Sequence, residues 1–222
     1  MRNNSDPNVV WDETCEGSAL ALAIFVGPSP SGNKPARRRP MNKNCCHARW
    51  NESFDTYSRW RFRDRFKSVV EALFSSSYKT AGKLIGRANL DWVPNPNSKD
   101  VQEQHMRQGA PSTLKMIEDC SPELVVPMDK KTFDVLKTVM EDTGFVIAPC
   151  NVINFKVRIK KRFNRCLYAF QAKSPAGMSF LVIKLPQHPS RMFPEYDTRC
   201  GEAIREAATQ IASGQPVNTN RT

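Results

Sequence analysis

Val152–Phe163 reads VINFKVRIKKRF. Phe155, Val157 and Ile159 alternate with Lys156, Arg158 and Lys160. A period of two is the pleat of a β-strand, so one face of this strand is apolar and the other cationic. A strand with one wet face belongs in a sheet covered on one side only, and sheets of that kind are antiparallel. The stretch therefore predicts an antiparallel sheet with a basic solvent face.

The neighbouring sequence supplies the rest of that sheet. Phe145–Ala148 is a short strand stopped by Pro149, and Leu167–Ala172 and Ser179–Leu185 are two more. Ser174–Gly177 (SPAG) turns between the last two, because proline and glycine suit the dihedrals of a tight turn. Before the strands, Lys130–Thr143 reads as a helix with Phe133, Leu136, Val139 and Met140 on one face. Asp129 is its candidate N-cap and Gly144 its stop. After them, Cys200–Ser213 reads as a helix with Ala203, Ile204, Ala207 and Ile211 inward. The expected fold is α+β: an antiparallel sheet of about four strands packed by two helices on one face, preceded by a small helical region and a flexible N-terminal arm. The expected core is Phe133, Leu136, Met140, Phe155, Val157, Ile159, Leu181, Ile183 and Ile204. The facing in Ser179–Leu185 stays open, since Phe180, Val182 and Lys184 occupy its other side.

Towards the N-terminus the pattern thins. Phe62, Phe66, Val69, Val70 and Leu73 recur at helical spacing, predicting a helix within 52–74. Tyr78–Arg87 is read as a second short helix. Trp92–Ser98 (WVPNPNS) is the best boundary. The expected division is a flexible basic arm over 1–51, a helical region over 52–92, a linker over 93–112, an α+β domain over 113–213 and a tail over 214–222. Within the arm, the apolar run Ala19–Val26 is either a strand or an adhesive segment. At eight residues it falls far short of the roughly 20 that cross a membrane.

Charge is distributed unevenly. The chain of 222 residues carries a formal net charge of +11. No acid falls between Glu16 and Glu52, where Lys34, Arg37, Arg38, Arg39, Lys43 and Arg49 lie. None falls between Asp142 and Glu195, where Lys156, Arg158, Lys160, Lys161, Arg162, Arg165, Lys173, Lys184 and Arg191 lie. A third basic group, Arg59, Arg61, Arg63 and Arg65, surrounds Trp60 and Phe62. Solvated faces usually mix both signs, so acid-free basic blocks point to a polyanion.

Other chemistries find less support. Gly27-Pro-Ser-Pro-Ser-Gly32-Asn33-Lys34 departs from a phosphate-binding loop: Asn33 displaces the lysine, Pro35 replaces the hydroxyl residue, and the prolines remove amides. Cys45, Cys46 and His47 are adjacent, whereas structural zinc takes ligands two to four residues apart. The seven cysteines are odd in number and irregular in spacing, and Met1–Glu16 has the wrong charge sign for a signal peptide. The expectation is free thiols in an intracellular, cytoplasmic or nuclear setting, with no cofactor and no metal. The histidines His47, His105 and His188 sit beside no nucleophile motif, so a non-enzymatic protein is expected.

The pattern of Thr132–Leu185 (TFDVLKTVMEDTGFVIAPCNVINFKVRIKKRF…LYAFQAK…FLVIKL), a helix then strands with a basic face, followed by the terminal helix, resembles the kinase-associated C-terminal domains of the first type. That resemblance implies autoinhibition or binding of anionic phospholipid. The chain itself holds no kinase motif: no glycine-rich loop over a strand, no HRD and no DFG.

The favoured expectation is a basic binding protein, a small viral or ribonucleoprotein factor, that contacts nucleic acid, RNA before DNA. Its candidate polyanion contacts are Lys156, Arg158, Lys160, Lys161, Arg162 and Arg165, with Arg37, Arg38 and Arg39 as a second group. No base-reading module is visible, so backbone contact should dominate. The alternative is a regulatory or scaffolding module that binds acidic phospholipid or a protein partner.

Overall fold

The structure, a computed structural model, describes residues 21–28, 61–91, 101–158 and 162–214. It is of the α+β class, built on one mixed sheet of seven strands. In chain order the elements are β1 (Ala23–Gly27), α1 (Arg61–Phe74), α2 (Tyr78–Ala81), β2 (Ile85–Asn89), α3 (Glu103–Cys120), β3 (Leu124–Pro127), α4 (Lys130–Asp142), β4 (Val146–Ile147), β5 (Asn151–Arg158), β6 (Arg162–Lys173), β7 (Ser179–Lys184) and α5 (Tyr196–Ala212). The sheet order is β2-β1-β3-β7-β6-β4, with β5 also paired to β6.

The sheet has two halves. In the first, β1 lies parallel between β2 and β3, and β3 pairs parallel with β7. In the second, β6 runs antiparallel to β7, β5 and β4. The expected antiparallel strands form this second half.

The apolar run near the N-terminus supplies the middle of the sheet. Ala23 and Phe25 enter a core with α1 and α5, while Ile24 and Val26 enter a second core with α3 and α4. A strand buried on both faces needs apolar residues at every position, which is why this segment shows no alternation. Residues 23–27 are therefore integral to the sheet and not part of a flexible arm.

The two helices expected on one face lie on opposite faces. Leu136 and Met140 of α4 pack in one core, and Cys200, Ala203, Ile204 and Ala207 of α5 in the other. β7 shows the cause: Val182 faces the core with α3 and α4, and Ile183 the core with α1 and α5, so both sides of this strand require cover. This also settles the open facing, since Phe180, Val182 and Ile183 are all buried.

Three further expectations change. The segment read as one strand, Val152–Phe163, is a hairpin, with β5 ending at Arg158 and β6 beginning at Arg162. Tyr78–Arg87 is a single helical turn, a 3-10 turn over Gly82–Leu84, and then strand β2. The segment expected as a linker, 93–112, holds the start of α3, which accommodates Pro111 in its interior. β2, β1, β3 and β7 share one hydrogen-bonded sheet, so the boundary expected near Trp92 separates no independent sheet.

Several local readings hold. The Asp129 side chain accepts from Thr132 N at 2.8 Å, capping α4. Gly144, at φ +85°, ends that helix in the left-handed region. Phe133, Leu136, Met140, Phe155, Ile183 and Ile204 are buried, and Leu181 packs partly buried beside them. The side chains of Val157 and Ile159 lie outside the described residues.

Candidate nucleic-acid interface

β1, β2, β3 and β7 all end at one edge of the sheet, here the carboxyl edge, at Gly27, Asn89, Pro127 and Lys184. The antiparallel strand β6 crosses it. Its last pair with β7 is Tyr168 with Lys184, and its residues 162–167 continue beyond, paired only with β5. Those six residues span roughly 20 Å at the usual rise of a strand. Within this two-stranded ribbon Phe155 lies opposite Arg165, Lys156 opposite Asn164, and Arg158 opposite Arg162. Lys156, Arg158 and Arg162 occupy its distal pairs, and Arg165, opposite Phe155, lies on the α5 side with its guanidinium 5.8 Å from the Tyr196 ring. Lys160 and Lys161 lie outside the described residues, between its strands.

Only the flanks of the second candidate group are described. The segment containing Arg37, Arg38 and Arg39 lies outside the described residues, but it leaves from Gly27–Pro28 and rejoins at Arg61. Arg61 donates to the Met192 carbonyl at 3.0 Å, and the next residue, Phe62, stacks on His188 with centroids 5.4 Å apart. Met192 and His188 follow the end of β7, so both anchors of the segment sit at the carboxyl edge.

The third basic group serves the fold. Arg65 pairs at 3.2 Å with Asp197, a buried carboxylate on α5. Arg63 pairs with Asp64 at 2.9 Å. Arg61 is held by Met192 as described. Arg65 thus joins α1 to α5 and Arg61 joins it to the loop after β7, and the interleaving of cations and rings lies at that junction; Arg59 lies outside the described residues. Arg87 adds to it, its guanidinium 5.3 Å from the Phe62 ring.

One face of the β5–β6 ribbon is closed and one is open. Ile153, Phe155, Leu167 and Ala169 are buried in the core beneath α5. On the reverse face, Val152 and its partner Tyr168 are 39% and 38% exposed, and Asn154 is exposed beside Cys166. The Cys166 thiol lies 3.0 Å from Asn154 Oδ1. α4 covers this face only as far as Phe133, whose ring lies 5.4 Å from Phe170 and 6.5 Å from Tyr168.

Lys184 lies at the root of the open face. It is 8% exposed, and its Nζ sits 4.3 Å from the centroid of the Tyr168 ring. Burial lowers its pKa; Asp134 opposes the shift, Lys130 adds to it, and Asp129 opposes it more weakly. Lys130 is itself paired with Asp134, one turn on along α4. The Lys184 ammonium has no ion-pair partner among the described residues. Such a charge is costly to bury, and a cation over an aromatic face recovers only part of the cost.

His188, in the loop after β7, is a partly buried titratable group at this edge. Burial pushes its pKa down to about 4; Asp129 opposes the shift, while Arg191 and Arg87 reinforce it. Nδ1 accepts from Ser190 N at 3.3 Å, so the neutral ring carries its proton on Nε2. On α3, His105 stands 3.9 Å from the buried carboxylate of Asp91, just past β2. Sequence reasoning missed this grouping because it depends on parallel pairing of short apolar steps such as Val125–Val126, which carry no chemical motif.

Cys120, Cys150, Cys166 and Cys200 are free thiols. Burial raises Cys200 to about 12. Cys45, Cys46 and His47 lie outside the described residues, among which no group of three or more His, Cys, Asp or Glu could hold a metal. No described helix is long and apolar enough to cross a membrane. No family model and no curated protein matches the chain.

Proposed function

We propose that the protein binds RNA as a polyanion across the carboxyl edge, with the β5–β6 ribbon as the principal contact. The observation that carries this reading is convergence. The ribbon with Lys156, Arg158, Arg162 and Arg165 and both anchors of the segment bearing Arg37–Arg39 meet at one edge. Across residues 143–194, which build this ribbon and the loop beside it, there is no acid. Each phosphate neutralised by a lysine or arginine releases condensed counterion, so affinity accumulates with little sequence selectivity. The experiment is a salt series with labelled RNA, comparing the natural protein with Lys156→Glu/Arg158→Glu. Binding that weakens steeply with salt, and is lost in the variant, supports the reading. Binding to anionic vesicles but not RNA would instead favour the phospholipid role implied by the kinase-associated resemblance.

A second reading rests on topology. β1 leads to α1 on one face and β3 to α4 on the other, so the chain has a topological switch point outside their carboxyl ends. Crevices at such switch points in parallel sheets accept small ligands. Gly27 is tightly enclosed there: a Cβ would lie 2.6 Å from Asn89 Oδ1 and 2.9 Å from Met128 Cε. Calorimetric titration with adenosine-containing cofactors tests this reading; no heat of binding from any of them removes it.

A further inference from the structure

The RNA reading leaves open whether the strand is single or paired, and the open face of the ribbon bears on that question. We propose that this face takes single-stranded RNA, with one unpaired base stacked on Tyr168 and the adjoining phosphate drawn to Lys184. The inference rests on the RNA reading and deepens it.

Three observations support it together. First, Tyr168 is a large ring left 38% exposed at the margin of the face that α4 covers, with Phe133 on one side of it, and its register partner Val152 is equally open. Every base has a π-face, so an exposed ring on a strand is a platform that accepts any unpaired base, while a duplex keeps its bases stacked on one another. Secondly, Lys184 is more than nine-tenths buried beneath that ring, with Nζ 4.3 Å from its centroid and no carboxylate partner among the described residues. A phosphate beside the stacked base would supply the missing counter-charge. Burial depresses the pKa of Lys184, and the nearby Asp134 and Asp129 offset that only in part. Thirdly, Tyr168 and Lys184 form the last β6–β7 pair, so the platform begins where the ribbon with Lys156, Arg158 and Arg162 leaves the sheet. A strand tracking the ribbon would reach Tyr168 without changing direction.

The test compares single-stranded RNA with duplex RNA of equal length, using full-length protein and the variants Tyr168→Phe, Tyr168→Ala and Lys184→Met. Tyr168→Ala should weaken single-strand binding roughly tenfold, the scale of one base–aromatic stack, and leave duplex binding unchanged. Tyr168→Phe should keep the natural affinity, since the ring remains. Lys184→Met should lower the magnitude of the single-strand salt slope by roughly 0.7, one phosphate contact. Crosslinking of the natural protein to a 5-iodouridine-substituted strand, mapped by mass spectrometry, should mark the peptide containing Tyr168. That readout needs no variant, so it stands even where a substitution disturbs folding. Equal loss on duplex RNA, or absence of that crosslink, overturns the proposal. Unchanged affinity in Tyr168→Ala with binding abolished in Lys156→Glu/Arg158→Glu overturns the stacking site and leaves the polyanion reading intact. No binding of RNA by the natural protein overturns both.

Discussion

The parallel and antiparallel halves of the sheet use apolar residues differently. In β1, Ile24, Phe25 and Val26 are all fully buried, alternately against helices on the two faces. In β5 and β6, Ile153, Phe155, Leu167 and Ala169 are buried beneath α5 while Val152 and Tyr168 remain open. The first half spends its side chains on cohesion. The second leaves Val152 and Tyr168 in water on one face. Substitutions in the first half should therefore report on stability, and those on the open face of the second on binding.

The strongest challenge to this contrast is Phe66→Ala. Phe66 is fully buried on α1, edge-on to Phe25 at 4.9 Å and stacked with Phe62 at 5.4 Å. Removing the ring loses its transfer free energy and leaves a cavity that the sheet cannot close, which should cost about 3–5 kcal/mol. Chemical denaturation followed by circular dichroism measures it. A loss below about 1 kcal/mol would mean that α1 is only loosely seated on the parallel half, against the usual cost of such a cavity.

Gly201→Ala should come next. Gly201 lies where α5 crosses α1: a Cβ would overlap the Val69 carbonyl oxygen and stand 2.8 Å from Ala72 Cβ. The obstacle is partly backbone, so relief requires the helices to separate, with an expected cost of about 2–3 kcal/mol. Thermal unfolding reads the change. An unaltered midpoint would show that the α1–α5 crossing has slack.

How legible these halves were in the sequence follows from the same contrast. Alternation exposed β5, and the cap at Asp129 and the stop at Gly144 fixed α4, because each depends on residues adjacent in the chain. The hairpin was read as one strand because Phe155, Val157 and Ile159 alternate with cations up to the turn and no glycine or proline marks it. The central strand β1 was left open and β2 was absorbed into a helix. A short, doubly buried strand has no period of its own, and parallel partners such as Ile24 with Gly86 lie far apart in sequence. Of the candidate site, the cations of the ribbon were legible by charge. The pairing of Tyr168 with Lys184 was not, since it rests on a strand register that forms only in the fold.

A pH titration probes the seam between the halves, where the loop after β7 meets α1. His188 has its pKa lowered to about 4 from an ordinary 6.5, mainly by burial against Phe62. The unfolded chain therefore binds the proton more readily than the native state. Its contribution is fully present above about pH 6.5 and is lost progressively as pH falls towards 4. The loss should be on the order of 1–2 kcal/mol, below the full linkage value because the ring stays partly solvated. His188→Gln should flatten this part of the stability profile. If the variant and the natural protein fall in parallel between those two pH values, other groups carry the acid sensitivity.

The smallest expected effect is Val152→Thr, and its smallness is what makes it informative. Val152 is 39% exposed on the open face, opposite Tyr168 in the antiparallel register. Threonine keeps the β-branched shape that suits a strand and exchanges one exposed methyl for a hydroxyl. If nothing covers this face in the isolated protein, stability should change by less than about 0.5 kcal/mol, the usual range for a surface position. The same change made at Val182, fully buried on β7, would place a hydroxyl in the core beside Phe170 and should cost about 1–3 kcal/mol. Urea denaturation of the two single variants gives the difference directly. Equal losses would mean that the face around Tyr168 is packed in solution, against another part of the chain or a second copy. The ring would then be unavailable to a base, and the division between a cohesive half and an open one would fail where it matters most for binding.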